Sequence, residues 1–474
     1  MPAAAAHITP YSGSWYPREP EKLSQLIDES WGASLQRAGS YLMPNARGYL
    51  VPHAGLAYSG TVAVAVYRHI ESQQPRSVVL LGFAHRGAPS GLWIPDVSSI
   101  ISPLGETRVD IEMADRLVAS GAFHRMAEER LCDHSIEIQL PLLQRAAPEA
   151  RIVPVYVSGL SDARRDEAAG ILAGTLSPND VVVASSDLTH FGAAFGYEPF
   201  RVDSQTGERL RRLDFEVLDS ASSLLPQMFL RTLRQTASTV CGYEPVSLLL
   251  AVMRMLDGEV FQSVLDYQAS GEITEDFHHS VSYGAAGYFP ASSFEVTPKA
   301  GTLLLDLARR TLGEYRRTGR RPKVVLPERP DPVLGRRSAA FVTLWKQGDL
   351  RGCIGHATND SALGELIPEL TMAAALDDSR FDRLAQDETG IDIDISLLTP
   401  LKRIPDRSWF KVNTHGAILR SGYHQGLLLP QVATERGWGA DMFFAALAHK
   451  AGVSMDVYAD PATELHVFRA QVIH

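Results

Sequence analysis

The sequence predicts two domains: an α/β domain with a central, largely parallel or mixed sheet and helices on both faces, followed by an α+β domain. Its 474 residues exceed the length of about 250 to 300 residues at which a single hydrophobic core stops growing. From about residue 45 to 190, short apolar runs alternate with helical patterns, and no such alternation follows after about residue 290. We therefore expect domains at residues 1–292 and 297–474.

The strands of the first domain are predicted by continuously apolar runs. Such runs are typical of strands buried on both faces, and the helical patterns between them indicate βαβ units. Residues 161–175 and 205–256 are predicted to be helical. The runs that predict strands are GYLVP, SVVLLG, IVPVYV and DVVVAS, with the later alternating segments VFQSVLDYQ and SVSYGAAGYF expected to close the sheet.

The second domain follows PASSFEVTPKAG, a segment rich in small residues and proline that favours a boundary. A helix, TLLLDLARRTLGEYRRTG, opens it, and SAAFVTLW, KQGD and LRGCIG predict a hairpin. The strand-like segments DIDISLLTP and AILRSGYHQGLLLP and a closing helix, ADMFFAALAHKAG, complete an α+β pattern. The basic arm at residues 316–337 is expected to be a solvated face rather than a nucleic-acid site.

Composition narrows the class of partner. The formal net charge of -10 disfavours general attraction to nucleic acid or anionic lipid, which leaves a small molecule or a protein. The first residues have no basic region or cleavage pattern, and no apolar run reaches the roughly 18 residues of a membrane span. Three widely spaced cysteines imply no disulfide framework. We expect a cytoplasmic protein that does not enter a membrane.

Polar side chains follow three of the predicted strands. His53 comes after GYLVP, His85 after SVVLLG, and Asp187 and His190 after DVVVAS. Because ligands of open α/β sheets bind beyond the carboxyl ends of the strands, these side chains are expected at one rim. Imidazoles and a carboxylate suit a divalent transition metal. The alternative is that each histidine is an ordinary hydrogen-bonded loop residue.

Two further segments carry candidate ligands. In CDHSIEIQLP, His134 and Glu137 are three residues apart and share one face of a helical turn. Alternatively, Asp133 or Ser135 merely caps the helix that carries LPLLQRA, with Pro141 early in it. Cys241 precedes another predicted helix, where a thiolate is favoured, although an isolated cysteine is more often a small buried residue.

The motifs of the first domain, taken together, resemble the Memo family. In order over about residues 8–289 they are YSGSWYP, VPHAGLAYSG, LGFAHRG, DHSIEIQLP, SSDLTHFG, CGYEP and SVSYGAAGY. The Memo family is similar in fold to the catalytic subunit of class III extradiol dioxygenases. By matched motif, the resemblance implies a metal held by His53, His85 and Cys241. It implies iron (Fe²⁺) first, with copper or zinc as alternatives, and it places Asp187, His190 and His134 around the same pocket as catalytic groups.

One difference from the dioxygenases affects whether their ring-cleaving activity can be expected here. Non-haem Fe(II) oxygenases use two histidines and one carboxylate, whereas the third ligand implied here is Cys241. A thiolate is softer and favours copper(I), zinc or a differently tuned iron, so ring cleavage does not follow from the resemblance alone. Glu244, three residues after Cys241, is a weaker candidate that would restore a carboxylate.

The second domain resembles the AMMECR family over about residues 297–474. LRGCIG carries the resemblance, supported by AFVTLW, SRFDRL, DISLLTP, HGAILRSG and LLLPQV. Within LRGCIG, Cys353 is expected to be buried rather than nucleophilic. The planar guanidinium of Arg351 has N–H groups arranged as a rigid fork, which could bind a carboxylate or phosphate. The two families resemble components of the AmmeMemoRadiSam system, which implies a radical-SAM protein as partner.

Three functions are compatible with these motifs. The first is a metal-dependent redox enzyme in which His190 or His134 moves protons and Asp187 orients a histidine. The second is a non-catalytic scaffold that holds a peptide or partner protein in a vestigial pocket. The third is a metal-dependent hydrolase, in which the metal lowers the pKa of bound water. The substrate is expected to be a small molecule or a peptide.

Overall fold

A computed structural model describes residues 5–323, 330–358 and 361–474 of the chain. It divides into two compact units, Met1–Pro290 and Ala291–His474. The central part of the predicted basic arm, residues 324–329, lies outside the described residues. Within the described ranges, no helix combines the length and the apolar character needed to cross a membrane.

The first unit contains twelve described strands in two sheets. The larger sheet has the strand order β10-β12-β2-β9-β3-β8-β4-β7, with β11 paired to β12, and the smaller has the order β1-β5-β6. The strands are β1 (Ala5–Ile8), β2 (Gly48–Val51), β3 (Ser77–Gly82), β4 (Gly91–Pro95), β5 (Val97–Ser102), β6 (Gly105–Arg108), β7 (Phe123–Met126), β8 (Arg151–Ser158), β9 (Val181–Ser185), β10 (His190–Phe191), β11 (Val260–Ala269) and β12 (Ser280–Pro290).

The centre of the larger sheet is parallel and its flanks are antiparallel. β2, β9, β3 and β8 pair in parallel, while β12 runs antiparallel to β2 and β4 antiparallel to β8. Every residue of β2, β3 and β9 is buried, as the continuously apolar runs predict. The prediction of a two-domain chain with an α/β first domain and a mixed sheet is therefore confirmed, although strands β4 to β7 were not among the predicted elements.

Ten described helices accompany these strands. α2 and α9 both pack against β2, and α9 also contacts β9, β3 and β8. The helices are α1 (Pro20–Ala38), α2 (Leu56–Gln73), α3 (Ile111–Ala119), α4 (His134–Glu137), α5 (Leu140–Ala146), α6 (Asp162–Thr175), α7 (Thr206–Ser222), α8 (Pro226–Thr236), α9 (Tyr243–Met255) and α10 (Ser270–Thr274).

The second unit has two antiparallel four-stranded sheets, with the orders β14-β13-β15-β20 and β16-β19-β17-β18. The predicted hairpin turns at Gln347 and Gly348, both of which have positive φ as a two-residue turn requires. Its strands are β13 (Ala340–Lys346), β14 (Asp349–His356), β15 (Ile391–Leu398), β16 (Lys402–Ile404), β17 (Gly416–Ser421), β18 (His424–Leu428), β19 (Glu464–Phe468) and β20 (Ala470–Ile473). Its helices are α11 (Pro298–Thr318), α12 (Leu363–Leu376), α13 (Pro430–Arg436) and α14 (Ala440–Ala451).

Candidate metal centre

The carboxyl ends of three adjacent parallel strands bring candidate ligands together. β2 ends two residues before His53, β3 three before His85, and β9 two before Asp187. The rings of His53 and His85 have centroids 5.5 Å apart and lie nearly at right angles. The rim that the sequence predicts therefore contains at least these two imidazoles side by side.

Two groups of potential metal ligands share His53. In each group the ligand atoms all lie within 4.8 Å of one another. The set implied by the family resemblance, His53, His85 and Cys241, takes members from both groups, and His190 belongs to neither. One group is His53, His85 and His134, and the other is His53, Asp187 and Cys241.

His53 is fixed at both ring nitrogens and at its backbone. The backbone N–H of His53 donates a hydrogen bond to Asp187 Oδ1 at 2.8 Å, and the ring atom Nδ1 lies 3.0 Å from Ser185 Oγ. The Ser185 hydroxyl also accepts a hydrogen bond from the Gln139 side-chain amide at 3.1 Å. With Nδ1 donating to Ser185, Nε2 presents its lone pair towards Cys241 Sγ, which is 3.1 Å away. This is the tautomer that a metal ligand needs.

Burial keeps two of the imidazoles neutral. It is the main cause that lowers the pKa of His53 to about 3; His85 and His190 act in the same direction, and Asp133 opposes them. Burial is also the main cause that lowers the pKa of His134 to about 3. Since only neutral imidazole binds a metal, both rings are in the ligating form at neutral pH.

Asp133 orients His85. Its carboxylate accepts hydrogen bonds from the His85 backbone N–H at 3.0 Å and from His85 Nδ1 at 2.8 Å. Burial alone would raise the pKa of Asp133, but the hydrogen bonds that its carboxylate accepts from His85 and from the Ser135 backbone N–H lower it overall. Because Nδ1 is used by Asp133, His85 has Nε2 free for a metal, as in carboxylate–histidine–metal arrangements.

Asp133 also caps α4 through a hydrogen bond from the Ser135 backbone N–H at 2.9 Å. The capping interpretation of CDHSIEIQLP is therefore right that Asp133 is a cap but wrong about the helix, because LPLLQRA forms α5, whose N-cap Gln139 makes no side-chain hydrogen bond. The sequence gives no indication of the contact with His85, because it depends on how α4 packs against the end of β3.

His134 lies between two aromatic rings. It stacks on Trp15 and on His85, with centroids 4.0 Å apart in each pair. The ring of Tyr11 meets His134 in a T-shaped arrangement, with centroids 5.6 Å apart. Tyr11 and Trp15 belong to YSGSWYP, which carried part of the family resemblance but suggested no site residue, since neither is a usual metal ligand.

Cys241 lies directly before Gly242, the N-cap of α9. A Cβ on Gly242 would lie 2.4 Å from Ser185 O, so only glycine lets this turn approach the end of β9. Burial raises the pKa of the Cys241 thiol well above its usual value. Burial also raises the pKa of Asp187 to about 6, although His190 and the backbone N–H groups of His53 and Ala54 oppose this.

His190 has a defined tautomer. Its Nδ1 lies 3.1 Å from two backbone carbonyl oxygens, those of Leu188 and Thr239. Because carbonyls only accept hydrogen bonds, Nδ1 carries the proton and Nε2 carries the lone pair. The ring is half-buried, and Nε2 is able to accept a proton from a bound molecule.

The two glutamates among the candidates predicted from the sequence, Glu137 and Glu244, lie outside these groups. Glu137 is fully buried, and its Oε1 lies 3.1 Å from His7 Nε2. Glu244 accepts a hydrogen bond from the Gly159 N–H at 2.6 Å. Burial raises the pKa of Glu244. Neither belongs to a ligand group that contains His53 in the described part of the chain.

The two candidate residues of the second unit, Arg351 and Cys353, already form hydrogen bonds within that unit. The guanidinium of Arg351 donates to both carboxylate oxygens of Glu388, at 2.9 and 3.1 Å, and to Asp382 O. Its fork is therefore occupied by a protein carboxylate. Cys353 is half-buried, and its Sγ accepts a hydrogen bond from Thr343 Oγ1 at 3.3 Å.

Comparisons with known proteins match both halves of the chain. A family model described as Memo-like protein matches residues 9–287, and one described as AMMECR1 matches residues 305–473. A MEMO1 family protein of Methanobrevibacter smithii is 32% identical over 292 residues, which cover 59% of this chain and 97% of that protein. A protein of Methanothermobacter thermautotrophicus is 36% identical over 181 residues, which cover 37% of this chain and 93% of that protein. The crystal structure of an uncharacterized protein from Pyrococcus horikoshii shares 33% identity, with a TM-score of 0.36, and covers 37% of this chain and 92% of that one.

Proposed function

Because this chain belongs to the Memo-like protein family and also carries an AMMECR1 domain, we propose that its first unit is a metal-dependent redox enzyme. The metal proposed is iron, and the chemistry resembles that of class III extradiol dioxygenases. The second unit is proposed to recognise the substrate or to dock a partner. A radical-SAM protein is the partner proposed, since the two families occur here in one chain. The compartment proposed is the cytoplasm.

The observation that carries this proposal is the contact between His53 Nε2 and Cys241 Sγ at 3.1 Å, beside the free Nε2 of His85. Two imidazoles and a thiol at one rim form a donor set that fits Fe²⁺. The same set fits copper(I) and zinc, because a thiolate is a soft ligand. Asp187, whose carboxylate lies in the group that contains Cys241, borders this donor set.

The chain's own residues would prepare such a site in two ways. Ser185 and Asp133 hold the Nδ1 atoms of His53 and His85, which leaves both Nε2 atoms pointing away from their supports. Trp15 covers one face of His134 and limits the access of water from that side. Rigid support of this kind is what a preorganised site requires.

His190 is proposed as the general base. Its Nε2 lone pair would take a proton from a hydroxyl of the substrate while Nδ1–H stays bonded to two carbonyls. Asp187 is proposed as a positioning residue, because its Oδ1 holds the backbone of His53. When bound, iron would supply a redox-active centre with open coordination positions for O₂ and a small organic substrate.

Metal analysis after anaerobic purification tests the proposal. We expect His53→Ala and Cys241→Ser each to lower the iron content of the full chain, while Glu244→Gln, a matched carboxylate outside the groups, leaves it unchanged. Unchanged iron content in both ligand variants would refute the metal centre. Aerobic incubation with catechols then tests the reaction, and oxygen consumption should depend on both iron and His190.

A metal-dependent hydrolase is a second candidate, favoured by the thiol of Cys241, a soft donor that suits zinc, and by His190, whose Nδ1 is bonded to two carbonyls and whose Nε2 could act as a base. Zinc in the anaerobically purified protein, with hydrolysis that depends on His190, would support it. Bound metal without turnover of any tested substrate would instead favour the scaffold function, in which the pocket holds a peptide or protein.

A further inference from the structure

A third group of potential metal ligands occurs outside the two groups around His53. It consists of His7, Cys132 and Glu137, and its ligand atoms all lie within 4.8 Å of one another. His7 lies on β1, Cys132 lies two residues before α4, and Glu137 ends α4. The group therefore draws its members from two segments that are more than a hundred residues apart in the chain.

Glu137 is the unusual member of this group. Its side chain is fully buried, with 0% exposure, and Oε1 contacts His7 Nε2 at 3.1 Å. Its second oxygen, Oε2, has no hydrogen-bond partner among the residues that the structure describes. Burying a carboxylate oxygen without a partner costs free energy, because the oxygen loses its hydrogen bonds to water and forms none with the protein. A cation at this position would remove that cost.

The surroundings of Glu137 are suited to a cation. Glu128 Oε1 lies 3.8 Å from His7 Nδ1, so a second carboxylate adds negative charge. The side chain of His7 remains 13% exposed and Cys132 is half-buried, which leaves an ion a path from solvent. Since Cys132 forms no disulfide, its sulfur is available as a ligand.

We propose that His7, Cys132 and Glu137 form a second metal site in the first unit, distinct from the His53 groups, which binds Zn²⁺. Zinc takes imidazole nitrogen, thiolate sulfur and carboxylate oxygen together in four-coordinate sites, with water in the fourth position when the protein supplies three ligands. On binding, the Cys132 thiol gives its proton to solvent, and so does the His7 ring when it is charged. The hydrogen bond from His7 Nε2 to Glu137 Oε1 is replaced by bonds from the sulfur, the imidazole nitrogen and the carboxylate oxygen to zinc. No change in oxidation state is involved.

Such a site has a structural consequence for the neighbouring centre. It would join β1 to both ends of the segment 132–137, which also contains Asp133 and His134. Bound zinc would therefore restrain the short helix α4, and with it the carboxylate that orients His85. The second site would support the His53 centre without contributing a ligand to it.

Cobalt(II) is the probe for the test, because thiolate bound to Co²⁺ gives a charge-transfer absorption in the near ultraviolet. The full chain is used with Cys241→Ser, which removes the thiol of the His53 groups. We expect this variant to retain a thiolate-to-cobalt absorption, which disappears when added zinc displaces the cobalt. Adding Cys132→Ser should abolish it, whereas adding Cys353→Ser, the matched control, should leave it unchanged.

Glu137→Gln keeps the size of the side chain and tests the site if Cys132→Ser does not fold. We expect it to weaken Co²⁺ binding at this site at least about tenfold, the lower end of the effect of losing a supporting residue. A folded Cys241→Ser variant without any thiolate absorption would overturn the proposal, leaving His7 and Glu137 as an ordinary ion pair. An absorption that survives Cys132→Ser would overturn it as well. Neither result depends on whether the His53 centre binds iron.

Discussion

Asp133 and His85 are joined by two hydrogen bonds, in which the backbone N–H and Nδ1 of the histidine donate to the two oxygens of one carboxylate. The first prediction concerns this pair. Asp133→Asn should weaken metal binding at the His53 centre by about 10- to 100-fold, because it removes the charge that fixes His85 with Nε2 free. Competition with a chelator of known affinity measures the change.

The choice of asparagine separates this effect from a loss of helix. Asparagine is as good an N-cap as aspartate, so α4 should keep its capping hydrogen bond from Ser135. The circular dichroism spectrum and thermal midpoint of the metal-free variant are therefore expected to match those of the metal-free wild type. Unchanged metal affinity would show that Asp133 acts only as a cap.

The second prediction concerns Gly242. Gly242→Ala should lower the free energy of unfolding by about 1 to 3 kcal/mol, because the added Cβ would lie 2.4 Å from Ser185 O and force the turn away from β9. The movement would also displace Cys241 and lower metal content. Gly32→Ala in α1 is the matched control, since nothing lies within 4 Å of its added Cβ. The control should stabilise the protein by roughly 0.5 to 1 kcal/mol. Denaturant unfolding measures both variants, and equal effects of the two substitutions would contradict the close approach of Gly242 to Ser185.

The third prediction separates proton transfer from metal binding. His190→Gln should lower the rate of oxygen consumption by about 10²- to 10⁴-fold, the usual contribution of a general base, while iron content stays the same. His278→Gln, at an exposed histidine bonded to Asp276, should change neither quantity. A parallel loss of iron and activity in His190→Gln would instead make His190 a ligand or a support of one.

The strands that hold the candidate centre could be predicted from the sequence, because each is buried on both faces and reads as an unbroken apolar run. The histidines after β2 and β3 could be located for the same reason. β5, β6 and β7 were missed because polar residues interrupt their sequences; β6, for example, is GETR and largely exposed, whereas β4 is the short apolar run GLWIP. Local pattern alone does not distinguish such a strand from a loop.

The supporting residues of the centre could not be predicted in the same way. Ser185 contacts His53 only because β2 and β9 are neighbours, and Asp133 contacts His85 only because α4 packs on the end of β3. Trp15 reaches His134 from a segment that is distant in the chain. These roles depend on tertiary packing, for which the periodicity of the sequence carries no signal.

The fourth prediction concerns the second unit and its response to pH. Glu388 accepts hydrogen bonds from both ends of the Arg351 fork and from Lys346. The hydrogen bonds from Arg351 are the largest cause that lowers the pKa of Glu388, to about 2. The usual pKa of glutamate in an unfolded chain is about 4.3. Since the folded pKa is the lower of the two, the ionised carboxylate stabilises this unit above about pH 4.3, and that stability is lost as the pH falls through about 2.

Glu388→Gln should therefore destabilise the second unit at neutral pH and flatten its pH dependence between about pH 4 and 2. Hydrogen–deuterium exchange of the amides in β13 and β14 is the appropriate measurement, because it reports on this unit separately from the first. Glu369→Gln, at an exposed position of α12, is the control and should leave the dependence unchanged. If the exchange in Glu388→Gln follows the wild type over the whole acid range, then the Arg351 fork is not held by Glu388 in solution. The fork would then be free for an external carboxylate or phosphate, as the sequence first suggested.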